Sequence, residues 1–351
     1  MTSVPTIALR PGYEISRIIC GGWQLAGGHG PVDRQAAVEN LVAYAEAGIF
    51  TIDCADIYTG VEELIGAART EIGRRHGAAA GAAIKVHTKC VPDLDKLAEV
   101  DRAYIRNIVE TSLRRLRTER LDLVQFHWWD YGVPGYLDAA GWLKELQREG
   151  KIDRLGGTNF DTLHTAELVA AGIDVVSMQV QYSLLDSRPE NALVDYSLKH
   201  GISLLCYGTV AGGFLSDRWL DRPEPRSPLE NRSLTKYKLI IDDFGGWSLF
   251  QKLLHTLKRI ADRHGTDIAS VASRAMLDRP AVAAVIVGAR SPAHVAANAA
   301  LGAIPLTASD HAEIAVVLDR RQGPAGDTFA LERDRTGRHG AIMKYNLNKV
   351  A

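Results

Sequence analysis

The 351-residue chain predicts an α/β fold in which eight parallel strands close into a (β/α)8 barrel. Three observations predict it. Short apolar runs alternate with stretches of helical periodicity along most of the chain. A junction recurs in which a helical stretch ends in Gly, an Ile follows and a strand begins: Gly48-Ile49, Gly172-Ile173 and Gly201-Ile202, with a looser version at Gly150-Lys151-Ile152. Glycine tolerates the left-handed conformation that ends a helix, and the next apolar residue enters the sheet. Polar residues collect at the C-terminal ends of the apolar runs, where a barrel has its mouth. An open doubly wound sheet is the competing architecture; the count of eight runs favours the barrel.

Arg10-Pro11-Gly12-Tyr13 lies between two apolar-leaning runs in residues 6–16, so a small hairpin precedes the main fold. The first strand covers residues 17–20 and ends in Gly21-Gly22-Trp23, where paired glycines let the backbone pass close to something. Asp33 caps a helix carrying Val38, Leu41, Val42 and Ala45 at helical spacing. The second strand ends in Asp53, with Tyr58 five residues on. The third covers 83–88 and ends at Lys89; a helix from about Asp101 follows, with Ile105, Ile108, Val109, Leu113 and Leu116 along one face. The fourth covers 121–126 and ends at His127, and the fifth covers 154–157 and ends in Thr158-Asn159. Residues 175–180, 202–206 and 282–287 complete the eight, the last ending at Gly288.

Two segments exceed a minimal barrel. Residues 217–246 hold Pro223, Pro225, Pro228 and Gly245-Gly246 and read as a long surface loop after the seventh strand. Residues 322–351 form a polar, basic extension with scattered Phe329, Leu331, Ile342, Tyr345 and Leu347. Both are expected to fold over the active-site face. The chain then reads as a single TIM-barrel domain, 1–351, with the barrel in about 15–305 and a C-terminal helix and extension in about 306–351.

Composition excludes several function classes. A net charge of −1 argues against a nucleic-acid or anionic-membrane surface as the main business. Cys20, Cys54, Cys90 and Cys206 form no Cys-x-x-Cys pair, and no His cluster has zinc spacing, so buried reduced thiols and no metal are expected. The first ten residues lack the charged and apolar regions of a leader, and no apolar run reaches a membrane span, which points to the cytoplasm. The sequence leaves the oligomeric state open.

In a barrel the strand C-termini share one face, so Asp53, Lys89 and His127 become neighbours with Tyr58 beside them. A free phenol has a pKa near ~10 and is a poor proton relay at neutral pH. A nearby ammonium is expected to lower that value, and a carboxylate behind the lysine holds it charged. A histidine can donate to a carbonyl oxygen. The set amounts to a general acid facing a carbonyl, in need of a hydride donor. Singly, each residue is as readily a salt bridge or packing; four at successive strand ends are hard to explain that way.

These residues sit in motifs that resemble the aldo-keto reductase superfamily over about residues 15–305. Asp53-Cys54-Ala55-Asp56-Ile57-Tyr58 with Glu62-Glu63-Leu64-Ile65-Gly66, Thr88-Lys89, and Leu121-Asp122-Leu123-Val124-Gln125-Phe126-His127-Trp128 carry the likeness. The resemblance implies a catalytic tetrad of Asp53, Tyr58, Lys89 and His127, interconverting a small-molecule carbonyl (aldehyde, ketone or sugar) and an alcohol. It implies cofactor contacts at Gly22, Trp23, Asp53, Thr158, Asn159 and Gln179, stacking of a nicotinamide ring on Tyr207, and passage of the pyrophosphate along Gly208, Val210 and Leu215. Gly288, Arg290, His294 and Asn298 match the adenosine-binding segment. Many members have Arg where His294 stands and Glu where Ala297 stands; Arg290 can replace the lost charge, so NADP(H) is favoured over NAD(H). Trp23, Tyr58, His127 and Trp128, with Trp129, are expected to line the substrate pocket. The resemblance also admits a redox-responsive partner module of the potassium-channel β-subunit type. A Schiff-base aldolase using Lys89 fits the residues but leaves the cofactor motifs without a purpose.

Overall fold

The computed structural model describes residues 4–27 and 30–348. The outer ends of the expected 1–351 domain and the last residues of its extension lie outside the described residues.

The chain opens with an antiparallel hairpin, β1 (Thr6–Arg10) and β2 (Tyr13–Ser16), turning at Gly12. Eight parallel strands follow: β3 (Ile18–Gly21), β4 (Thr51–Asp53), β5 (Lys85–Cys90), β6 (Leu121–Phe126), β7 (Ile152–Thr158), β8 (Val175–Gln181), β9 (Ser203–Tyr207) and β10 (Val282–Gly288). Each pairs with the next, and β10 pairs back onto β3 with Gly288 opposite Gly21, closing the barrel.

Side-chain alternation divides the core in two, and an extra residue in β8 between Val175 and Met178 switches the phase of that strand. Leu123, Val176, Leu205 and Ala284 point into the barrel, where Leu9, Tyr13 and Ile15 of the hairpin reach up from below. Val124, Phe126, Met178 and Val180 point outward into the larger layer beneath the helices. The helices obey local signals. α1 (Arg34–Glu46) is capped by Asp33, whose carboxylate accepts from the backbone N–H of Gln35 and Ala36. The helix Arg102–Leu116 is capped by Asp101 through the N–H of Tyr104.

Two readings of the sequence need correction. The expected third strand began at Ala83, but residues 78–83 form a short helix, Ala78–Ala83, and the strand starts at Lys85. Five of those six residues are alanine, the best helix former, so local propensity prevails until the β-branched residues begin. The expected loop 217–246 contains a capped helix, Arg232–Phe244 (the lid helix below). Its buried residues Leu234, Tyr237, Ile240, Ile241 and Phe244 keep helical spacing. The prolines all precede it and do not interrupt it.

The C-terminal segment runs back over the barrel mouth. It buries Thr328, Phe329, Glu332 and His339 and includes a short helix, Ala330–Arg333. Among the described residues, no single helix is long and apolar enough to cross a membrane.

Candidate active site

Strand β4 is three residues long and delivers Asp53 at its end, almost wholly buried. Two strand residues away in space, Lys89 of β5 places its ammonium 2.9 Å from each Asp53 oxygen and 2.7 Å from the Cys54 carbonyl oxygen. Asp53 Oδ1 also accepts from Gln125 at 3.1 Å and from Gln179 at 2.5 Å. Gln125 faces inward two positions before His127, the parity that brings it to the same hub.

Tyr58 leaves a tight turn, its N–H bonded to the Ala55 carbonyl, and Gly60 in the left-handed region starts the next helix. The Lys89 ammonium lies 5.1 Å from the centre of the Tyr58 ring. The sequence led us to expect a lowered phenol pKa. Burial instead pushes it up to about 12, with Lys89 pulling the other way. Tyr58 is therefore a neutral phenol at neutral pH, in the state a proton donor needs. Burial also works against the Lys89 ammonium. The Asp53 carboxylate outweighs it, with smaller help from Tyr58, and holds the group above the ordinary lysine value.

His127 is buried, and its Nδ1 lies 2.8 Å from the Thr158 carbonyl oxygen. A carbonyl can only accept, so Nδ1 carries the proton. Burial, then the nearby Arg333 charge, lowers the imidazole pKa to about 3, so the ring is neutral. Nε2 then presents a lone pair and has no partner among the described residues. The expected donor to a carbonyl is thereby corrected to an acceptor.

Trp128 is also corrected. It is fully buried, donates to the Val133 carbonyl and packs beside Phe126, which faces outward from the barrel. Trp129 is the indole at the site, edge-on to His127 with ring centres 4.4 Å apart. Tyr345 from the C-terminal segment packs on Trp129, and Phe329 meets His127 edge-on at 5.7 Å. Trp23 lies 5.0 Å from Tyr58, ring to ring, and its N–H reaches Ser233 of the lid helix at 3.4 Å. Arg333 binds this shell together: its guanidinium donates to the carbonyls of Trp128, Trp129 and Asn159 and to the Tyr131 hydroxyl, and stacks 3.9 Å from the Tyr131 ring. Sequence reasoning singled out none of Gln125, Arg333 or Glu332. Inward strand parity was a signal for Gln125; nothing local marked the other two.

The residues expected to hold a nicotinamide surround the same hub. Gly22 donates to the Asp53 carbonyl at 2.8 Å, and a Cβ there would stand 2.8 Å from that oxygen, so only glycine fits. Tyr207 donates to Asn159 Oδ1 at 2.9 Å, and Asn159 adopts a left-handed φ of 59°. With Asn159 Oδ1 and the Gln179 amide nitrogen occupied, the Gln179 carbonyl and the Asn159 amide nitrogen are left, the complement of a carboxamide. The residues present fit the group. Gly208, at φ 79°, lies under the Tyr237 hydroxyl of the lid helix. Leu215 is fully buried and Val210 partly so; their backbones, joined by a 3.1 Å bond, form the curve of this loop.

The expected adenosine segment is more dispersed. Gly288 ends β10 beside Gln24, and Asn298 donates to the Tyr44 hydroxyl at 2.9 Å. His294 is exposed on a short turn, and Arg290 reaches toward Gly30. Among the described residues no group of His, Cys, Asp and Glu is arranged to hold a metal ion, and all four cysteines are buried and free.

Comparison with known proteins adds to this geometry. A family model described as "Aldo/keto reductase family" matches residues 17–319. The aldo-keto reductase YhdN of Bacillus subtilis is 28% identical over 327 residues, covering 91% of this chain and 95% of that protein. The NADH-specific methylglyoxal reductase of Escherichia coli is 29% identical over 225 residues, covering 58% of this chain and 66% of that one. Among solved structures, the glycerol dehydrogenase AKR11B4 of Gluconobacter oxydans is similar with a TM-score of 0.76 and 25% identity, covering 94% of this chain and 99% of that one.

Proposed function

The chain belongs to the aldo/keto reductase family, and from that premise we propose that it interconverts a small-molecule carbonyl and its alcohol at Tyr58, with NADP(H) favoured over NAD(H). The observation that carries this reading is the buried Asp53–Lys89 pair set 5.1 Å from the ring of a neutral Tyr58. In the reducing direction Tyr58 gives its proton to the carbonyl oxygen as that oxygen gains negative charge, and the Lys89 charge stabilises the phenolate left behind. His127 orients the same oxygen by accepting at Nε2 from the hydroxyl that forms. The bound nicotinamide supplies or accepts hydride. Gly22, Asn159, Gln179 and Tyr207 would hold its ring; Gly208, Val210 and Leu215 would pass along its pyrophosphate. Arg290, with His294 and Asn298, supports the phosphorylated cofactor, and the relative named NADH-specific makes NADH the comparison to run beside it.

The test is cofactor fluorescence during titration with NADPH and NADH, then NADPH consumption on a panel of aldehydes, ketones and sugars. Tyr58→Phe is expected to bind NADPH like wild type and to lose on the order of 10²–10⁴ in kcat. Tight NADPH binding with full activity in Tyr58→Phe would remove the role given to the phenol.

A further inference from the structure

Lys236 projects from the lid helix into the site. Its Nζ lies 5.1 Å from the centre of the Tyr207 ring and 5.9 Å from that of Phe329, the ring that meets His127 edge-on. The side chain is only 15% exposed, yet no acceptor stands within hydrogen-bond reach of its ammonium among the described residues. The nearest carboxylate, Glu332, is 4.0 Å away, and both of its oxygens are already held by Arg188, at 2.7 and 3.0 Å. Asp186 is likewise spent on Arg188 and Gln181. The ammonium keeps some contact with solvent and has donors open on the site side, where a ligand can supply the acceptor.

The surroundings carry the same sign. Arg333, near His127, donates only to uncharged oxygens, and among the described residues no carboxylate stands at ion-pair distance from it. A cavity of about 740 Å³ opens beside Trp23, Ile57 and Thr59, which flank Tyr58. The charged side chains on its wall are Arg232 and Lys344; among the described residues no acidic one lines it.

We infer that the carbonyl site takes an anionic substrate, an aldehyde or ketone bearing a carboxylate or phosphate, and that Lys236 receives the anion. This rests on the reductase reading above and narrows its substrate class. Lys236 donates to the anion at the Tyr207–Phe329 side of the pocket, while the carbonyl faces Tyr58. The cations of the mouth raise the local concentration of such substrates.

The experiment uses matched pairs with NADPH: 4-carboxybenzaldehyde against methyl 4-formylbenzoate, and glyceraldehyde 3-phosphate against glyceraldehyde. Wild type, Lys236→Met and Lys236→Arg are compared. In wild type the charged member of at least one pair is expected to have the higher kcat/KM, on the order of tenfold, and the pair that shows it separates carboxylate from phosphate. Lys236→Met abolishes that preference, mostly through KM, and leaves the neutral member nearly unchanged; Lys236→Arg keeps it. Turnover of neutral members with no preference for the charged ones would overturn the inference and leave the reductase reading standing. The same holds if Lys236→Met slows both members equally. No turnover of any carbonyl would overturn both. The wild-type comparison needs no variant, so the inference stays exposed even where Lys236→Met fails to fold.

Discussion

The two mouths of the barrel are closed by opposite means. Below, the N-terminal hairpin inserts Leu9, Tyr13 and Ile15 among inward-facing Leu123, Val176 and Leu205, an apolar plug without direction. Above, the C-terminal segment is tied by oriented charge. Arg188 chelates Asp186 and Glu332, both wholly buried, and Arg333 stitches three carbonyls. Asp243 on the lid helix holds Arg338 and His339. A floor needs only to exclude water, which apolar area does. A roof over reacting groups must also set their positions, which hydrogen bonds of defined geometry do.

The sharpest way to break this contrast is Glu332→Ala. It removes one of the two carboxylates that neutralise buried Arg188 and leaves Asp186 alone with it; removing one partner of a buried pair costs up to about 3–5 kcal/mol. Thermal melting should fall, and limited proteolysis should cut within residues 322–348 before the barrel opens. If cleavage instead tracks global unfolding, the roof is not a separate layer. Acid gives the same test without mutation. Burial alone would raise the Glu332 carboxyl, but the Arg188 charge outweighs it and holds it at about 2, below its ordinary 4.5. A depressed folded value means that the stabilisation is complete above the unfolded value and fades as pH falls from about 4.5 toward 2. Protease sensitivity of the segment should rise across that window.

Ile15→Ala probes the floor. It opens a cavity in a packed plug and costs about 2–5 kcal/mol in global stability. Its kcat/KM at a permissive temperature should match wild type; a large loss of activity at unchanged melting would show that the floor, too, sets the site. The smallest effect belongs to Arg335→Ala. Its 3.1 Å bond to Asp130 is at the exposed rim and is worth about 0–1 kcal/mol. Melting and proteolysis should not move, and a clear shift in either would mean that rim charges also hold the roof.

The floor and the strands were largely readable in the chain, because their signals are local. The Pro11-Gly12 turn announced the hairpin, Asp33 and Asp101 announced their helices, and the fourth barrel strand, β6, has the expected ends. The roof was not readable for the opposite reason. Arg188 and Glu332 are 144 residues apart and meet only through the closed fold. The lid helix was hidden because prolines and glycines at its borders read louder than the apolar spacing between them. Trp128 and Trp129 stand just past the end of β6, where strand alternation no longer decides which indole faces the pocket. The direction of the Tyr58 shift depends on how deeply the closed fold buries it, which no spacing expresses.

The lysine at the centre has a consequence for timing. Its three hydrogens are all committed, two to Asp53 and one to the Cys54 carbonyl. It acts on Tyr58 through space, as a charge, and has no hydrogen to hand over. On the proposed chemistry, each reduction leaves a phenolate that must be recharged from the pocket side, by water or buffer entering after the product departs. Refilling the acid and emptying the site then become one queue at one door, and a slow-leaving product delays both.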